Sequence, residues 1–311
     1  YGGSSAVIPP YEITPFRGIK EICGDKAEIV NDPSKADCAI VFAGLNHSRG
    51  MDSESRDRST LHLPETQVDQ IIRTAEENPN TIVVLISGSP VVMDNWMENV
   101  PAILEAWYAG MQGGQAIANV LFGKVNPSGK LPITFPRRLE DSPPHSSGDC
   151  RTYPGDELKR VYYDEGIFVG YRWFEHRMVV PLFPFGYGLS YTDFELENLC
   201  LEKESVAASS ESVSLSIDVT NTGEYEGFET VQVYSHDIAS TVERPPKELV
   251  GFEKVWLNPG ETKEASIGIR IADLAFYDVI SADWLVEKGD FELLVGPSSN
   301  DIKCKTTFTY G

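Results

Sequence analysis

Three carboxylates and three arginines crowd one short stretch of this chain: Asp52, Glu54 and Asp57 among Arg49, Arg56 and Arg58. A carboxyl group in such a setting can carry a proton, brace a loop through an ion pair, or stand in solvent as an ordinary loop acid. Glu54, three residues before an Asp57-Arg58 pair, is the candidate for chemistry, and Asp52 is its local rival. Asp57 with Arg58 reads as an ion pair bracing the loop.

The setting of the stretch singles it out. Cys38-Ala39-Ile40-Val41-Phe42 is an apolar run that predicts a buried parallel strand ending at Gly44. Val68, Ile71, Ile72 and Ala75 then give the apolar stripe of a helix. Between the two lie about 20 polar and charged residues without apolar periodicity, and a loop that long inside a compact domain usually carries function. It falls beyond the carboxyl end of a strand, where α/β sheets place ligands.

The elements that must position this loop alternate. A loop over residues 1–15 is followed by a short helix over Phe16–Ile22 and a weak strand near Ala27–Val30. Ala36–Phe42 is a strand, and residues 64–77 form a helix begun by Pro64. Thr81–Ile86 is a second buried strand, Val100–Trp107 a third, and Gly110–Leu121 a helix. Strand and helix in alternation predict βαβ units on a parallel sheet. Residues 123–192 are rich in Gly, Pro and aromatics with little periodicity, which predicts packing against neighbouring surfaces. Beyond Tyr191, Leu215–Thr220, Val231–Tyr234 and Ala265–Ile269 alternate apolar and polar residues between turns such as Asn258-Pro259-Gly260. That pattern predicts an antiparallel β-sandwich. The expected organisation is an α/β parallel-sheet sandwich domain over 1–122, an irregular extension over 123–192, and an all-β immunoglobulin-like sandwich over 193–311.

Composition narrows the partners. The 311 residues suffice for two cores, and no apolar run approaches the ~18 residues of a membrane span. The net charge of −21 argues against nucleic acid and anionic membranes, which need a basic face. Five scattered cysteines lack a C-x-x-C pair, so reduced thiols are expected, with Cys200–Cys304 left open as one disulfide. Neither a metal site nor a cofactor is implied, and the Gly110–Gly114 stretch lacks the pattern of a nucleotide loop.

Several ordered motifs resemble glycoside hydrolase family 3, the β-glucosidase and β-xylosidase family. Gly2-Gly3-Ser4-Ser5-Ala6-Val7 is similar to its GGGSSxV segment. Glu54-Ser55-Arg56-Asp57-Arg58, followed by Leu61, Leu63-Pro64 and Gln67, resembles its E-G-x-D-R-x-x-L-x-L-P-x-x-Q signature, with Ser55 where the family has Gly. Gly88-Ser89-Pro90, Ala106-Trp107-Tyr108, Asn126-Pro127-Ser128-Gly129-Lys130 and Phe183-Pro184-Phe185-Gly186-Tyr187-Gly188 continue the likeness. Lys247–Phe252 resembles the family's fibronectin-type-III-like domain.

The resemblance implies a retaining hydrolysis with two carboxylates from two domains. The nucleophile would be an Asp on a (β/α)8 barrel, and the general acid/base would be Glu54. A glycosidic oxygen leaves only as it takes up a proton, so the acid must be a carboxyl kept protonated near neutrality. The expected substrate is a small oligosaccharide or glucoside ending in β-glucose, with xylose second, and His47 and Arg49 would line the aglycone side. Trp107 and Tyr108 are expected as core or interface aromatics rather than a sugar platform. The barrel and the strand ahead of the Gly-Ser motif are not in this sequence. The chain is therefore expected to act with a barrel-bearing chain or segment, in an oligomer, and to be inactive alone. The rival from another class is a catalytically silent accessory module.

Overall fold

The computed structural model describes residue 3, residues 6–54 and residues 57–311. Gly2, Ser4 and Ser5 of the Gly-Ser motif, with Ser55 and Arg56 of the acidic loop, lie outside the described residues. Two compact units emerge, Tyr1–Val125 with Phe135–Leu139, and Asn126–Thr134 with Glu140–Gly311.

In the first unit, helix α1 (Pro15–Cys23) starts on Thr14, whose hydroxyl accepts the Arg17 N–H at 3.3 Å, with Pro15 in the opening turn. Strand β1 (Ala39–Gly44) leads through the acidic loop into α2 (Glu65–Glu77), which buries Val68, Ile71 and Ala75. Strand β2 (Thr81–Ile86) runs parallel to β1 from Ala39↔Thr81 to Gly44↔Ile86. Strand β3 (Ala102–Glu105) pairs parallel to β2 on its other side, giving the order β1-β2-β3. Helix α3 (Gly113–Leu121) follows a 3-10 turn over Gly110–Gln112, so the helix expected from Gly110 begins in tighter winding. Buried Asn78 ties the sheet's amino end together: its amide donates to Pro33 O at 3.0 Å and Ala36 O at 2.7 Å.

Two sequence expectations fail here. No strand forms over residues 27–30, where Ile29 and Val30 stand exposed without a strand to pair with among the described residues. The third strand is also shorter than expected and only half-buried. Trp107, placed inside that strand by its hydrophobicity, has φ +50, a left-handed turn that ends the extended run.

The second unit joins the aromatic-rich segment to an all-β body. Short helices α4 (Pro143–Ser146) and α5 (Tyr171–His176) punctuate the irregular part, where Phe168, Trp173 and Phe174 form a small core. Trp173 Nε1 donates to Asp141 O at 3.0 Å. Then come β4 (Phe194–Leu201), β5 (Ser205–Val206), β6 (Ser212–Asn221), β7 (Gly227–Asp237), β8 (Glu248–Leu257) and β9 (Thr262–Arg270). A hairpin of β10 (Phe276–Asp278) and β11 (Asp283–Leu285) precedes β12 (Gly289–Gly296) and β13 (Cys304–Tyr310). A five-stranded sheet, β5-β13-β12-β7-β8, faces a three-stranded one, β4-β6-β9. Alternate residues such as Val213, Leu215, Ile217 and Val219 on β6 meet Val231, Val233, Leu293 and Phe308 in one dry core. The fold is thus an α/β parallel-sheet domain followed by a β-sandwich.

The aromatic segment docks on this sandwich through directed bonds. Tyr171 stacks on Phe185 at 4.8 Å, its hydroxyl accepts the Leu249 N–H at 2.8 Å, and Gln232 donates to Gly186 O at 3.1 Å. All five cysteines are free thiols. Cys200 lies on β4 opposite Ser216 and Cys304 on β13 opposite Val295, in different sheets, so the Cys200–Cys304 disulfide does not form.

Candidate active site

The acidic loop leaves the sheet at Gly44, and Gln67 of α2 clamps that peptide from both sides. Its amide nitrogen donates to Gly44 O at 3.0 Å, and its oxygen accepts the Gly44 N–H at 2.8 Å. Leu45 and Leu63 bury the two ends of the loop at 6% and 4% exposure, which frees the middle to be polar. Asn46 opens it with an Asx turn, accepting the Ser48 N–H at 2.8 Å.

Asp52 is bonded from several sides. Its Oδ2 accepts the Gly88 N–H at 2.7 Å and the Tyr108 hydroxyl at 2.7 Å, and its Oδ1 accepts the Ser89 hydroxyl. The Arg58 guanidinium approaches Oδ1 at 3.9 Å and donates to Ser89 Oγ at 2.9 Å and Pro90 O at 2.7 Å. Arg58 therefore takes Asp52, and not its neighbour Asp57, as its ion-pair partner. Partial burial pushes the Asp52 carboxyl up, but the Ser89, Tyr108, Gly88 and Arg58 contacts outweigh it and hold the group below the usual carboxylate range. An anion so held is a poor proton donor.

The donors come from the carboxyl ends of β2 and β3. Gly88 is close-packed: a Cβ there would fall 2.6 Å from Tyr108 Cε2. After β3, the left-handed Trp107 turns the chain back, with its own ring edge-on to Phe135 at 6.1 Å. That turn directs Tyr108, 41% exposed, over Gly88 to Asp52. Tyr108 is thus not a core residue, and its hydroxyl is bonded to the loop. Burial and the Asp52 bond together raise the Tyr108 pKa.

Glu105, at the end of β3, sits beneath this cluster. Its Oε1 accepts the Trp107 N–H at 2.9 Å, and the Ser87 hydroxyl lies 3.3 Å from Oε2. Burial pushes Glu105 up to about 7, against the pull of those hydrogen bonds and with a further push from the Asp52 charge.

Glu54 is placed differently. It is exposed, two residues beyond the fixed Asp52. Gly3, at φ +78, packs against it: a Cβ there would fall 2.9 Å from Glu54 Cδ and 2.8 Å from His47 Cε1. The His47 ring, half-buried, places Nδ1 at 3.2 Å from Asp52 O. Gly3, His47 and Glu54 therefore gather at one spot, while Arg49 stands exposed on the intervening turn. Among the described residues, no group of His, Cys, Asp and Glu could hold a metal ion, and no helix is long and apolar enough to cross a membrane.

Sequence reasoning missed Ser87, Gly88, Ser89 and Glu105 as parts of this site, and missed the bond from Tyr108 to Asp52. The signal that would find them is positional: each follows or ends a parallel strand of the sheet that carries β1.

The family model described as glycosyl hydrolase family 3 C-terminal domain matches residues 1–171, and that of a fibronectin type III-like domain matches residues 229–299. Thermostable beta-glucosidase B of Acetivibrio thermocellus is 42% identical over 97% of this chain and 42% of its own length. A beta-glucosidase of Bacteroides ovatus is 39% identical over 99% of this chain and 40% of its own. Among solved structures, a beta-glucosidase of Bifidobacterium adolescentis superposes with a TM-score of 0.88 at 34% identity, covering 100% of this chain and 47% of that one. DesR, a beta-glucosidase of Streptomyces venezuelae solved with D-glucose, gives 0.82 at 39% identity, covering 89% of this chain and 34% of that one. This chain spans less than half the length of each of these relatives.

Proposed function

Because the chain belongs to glycosyl hydrolase family 3, whose C-terminal domain it carries, we propose that it supplies the acid/base half of a retaining β-glucosidase, with Glu54 as that acid/base. The observation that carries the reading is the contrast within one loop. Asp52 is held by three hydrogen-bond donors with the Arg58 guanidinium at 3.9 Å, whereas Glu54, two residues on, is exposed beside His47 and Gly3. The likeness to beta-glucosidases along nearly the whole chain supports the same reaction class.

In the proposed reaction the nucleophilic Asp belongs to a barrel-bearing segment of the same enzyme, about 5–5.5 Å from the Glu54 carboxyl as retention requires. Glu54 first gives its proton to the glycosidic oxygen as the bond to the anomeric carbon breaks. The resulting carboxylate then takes a proton from the water that attacks the glycosyl-enzyme, and the cycle closes with Glu54 protonated again. His47 and Arg49 border the side on which the aglycone leaves, and the sugar at the cleavage site is a terminal β-glucose.

Glu54→Ala in the assembled enzyme tests this. Activity on cellobiose, whose leaving group needs a proton, falls by about 10²–10⁴. On 2,4-dinitrophenyl β-glucoside kcat/KM holds while kcat drops, and azide restores kcat by forming a glucosyl azide. Unchanged turnover on both substrates would leave this chain as an accessory that only shapes a partner's pocket.

A further inference from the structure

We propose that Asp52 is a positioning residue for the acid/base: its carboxylate, latched by Tyr108, Ser89, the Gly88 N–H and Arg58, fixes where Glu54 stands. The inference rests on the reading of Glu54 as that acid/base. Its basis is where the donors come from. Gly88 and Ser89 follow β2, Tyr108 follows β3, and Arg58 belongs to the acidic loop itself. One side chain thereby stitches a long irregular loop to the carboxyl ends of β2 and β3.

Ser53 alone separates Asp52 from Glu54 along the chain, a reach of at most ~7 Å between their Cα atoms. A loop pinned at Asp52 leaves Glu54 little freedom to wander. The Asp52 main chain also faces His47 at 3.2 Å, and His47 shares the Gly3 surface with Glu54. The pin thus holds two of the three groups gathered at the site.

The two charged side chains of the latch are shielded from water as well as bonded. The Asp52 and Arg58 side chains are 13% and 7% exposed. A carboxylate removed from water and satisfied by preset donors holds its geometry, because moving it would leave those donors unpaired. Tyr108 is the most remote of them in sequence, and its ring leans on Gly88 where no larger residue fits.

The test uses the assembled full-length enzyme with Asp52→Asn, Tyr108→Phe and, as reference, Glu54→Ala. Each is measured on cellobiose and on 2,4-dinitrophenyl β-glucoside. A misplacement near 1 Å costs about 100-fold, so Asp52→Asn should lose that much in kcat/KM on cellobiose and less than about threefold on the dinitrophenyl glucoside. Tyr108→Phe, which removes one hydrogen bond to a charged group, should lose about tenfold on cellobiose with the same selectivity. Azide should raise kcat of both variants on the activated substrate.

Equal losses on the two substrates together with a lowered melting temperature would mean that Asp52 serves the fold alone, and would overturn the inference. Full activity of Asp52→Asn on cellobiose would also overturn it. If Asp52→Asn does not fold, Tyr108→Phe carries the same comparison. Glu54→Ala separates the two claims. If it lacks the leaving-group dependence, the acid/base assignment itself falls; if it shows the dependence and the latch variants do not, only the latch falls.

Discussion

In the sandwich unit, partly buried carboxylates face cations: Glu229 meets Lys130 at 2.8 Å, Glu248 meets Arg244 at 2.7 Å and Glu175 meets Lys247 at 3.1 Å. In the α/β unit, Asp52 takes its close bonds from two hydroxyls and a peptide N–H, with Arg58 at 3.9 Å, and Glu105 is bonded by Ser87 and the Trp107 N–H. A cation at contact distance favours a carboxylate's charged state and fixes its place. Neutral donors orient it without adding a charge, so the balance of burial and hydrogen bonds sets its protonation, raised at Glu105 and lowered at Asp52. The first arrangement suits a unit whose task is to stay folded, the second the loop proposed to carry the acid/base.

Breaking the core of the sandwich should give the largest effect on stability and none on chemistry. Phe291 is 1% exposed and stacks on Phe308 at 5.6 Å. Phe291→Ala should cost about 3–5 kcal/mol in denaturant unfolding. The leaving-group dependence of the folded fraction should stay as in the wild type, and a change there would break the division of roles between the units.

Lys247→Met should cost about 3 kcal/mol near pH 8, because it strands Glu175 half-dry without its cation. Burial already raises the Glu175 pKa, with Lys247 opposing that rise. A group whose folded pKa is raised contributes its stability below its unfolded pKa of 4.5 and loses it as pH rises. The penalty of Lys247→Met should therefore shrink as pH falls toward 4.5. A pH-independent loss would show that Lys247 acts through packing and not through charge.

The smallest effect should come from Glu105 and have the opposite sign. Its pKa moves from 4.5 to about 7 on folding, so wild-type stability drains away between those pH values. Glu105→Gln keeps an acceptor for the Trp107 N–H and removes the titration. It should stabilise the protein at pH 8 by about 1–2 kcal/mol, discounted for partial exposure, and much less at pH 5. Equal melting temperatures for variant and wild type at pH 8 would show that Glu105 is held by its donors as firmly as the sandwich carboxylates are by their cations.

Much of this was legible from local pattern. The run Cys38–Phe42 followed by a long polar stretch located the loop, and alternation on β6 and β9 located the sandwich. The strand expected over residues 27–30 was misread because two adjacent apolar residues carry no period, and nothing in local sequence says whether a neighbouring strand exists to pair with them. The Asp57–Arg58 pairing was misread for a related reason: adjacency in sequence does not bring side chains to face each other in an irregular loop.

By itself the sequence determined the order of strands and helices, the polar loop after β1 and the family to which Glu54 belongs, because each is written in residues close together in the chain. The tertiary structure alone decided that Asp52 is bonded across the sheet while Glu54 lies exposed beside Gly3 and His47. Their difference depends on Gly88, Ser89 and Tyr108, which lie 36, 37 and 56 residues from Asp52. Those residues meet the loop only because three parallel strands bring their carboxyl ends to one edge of the sheet.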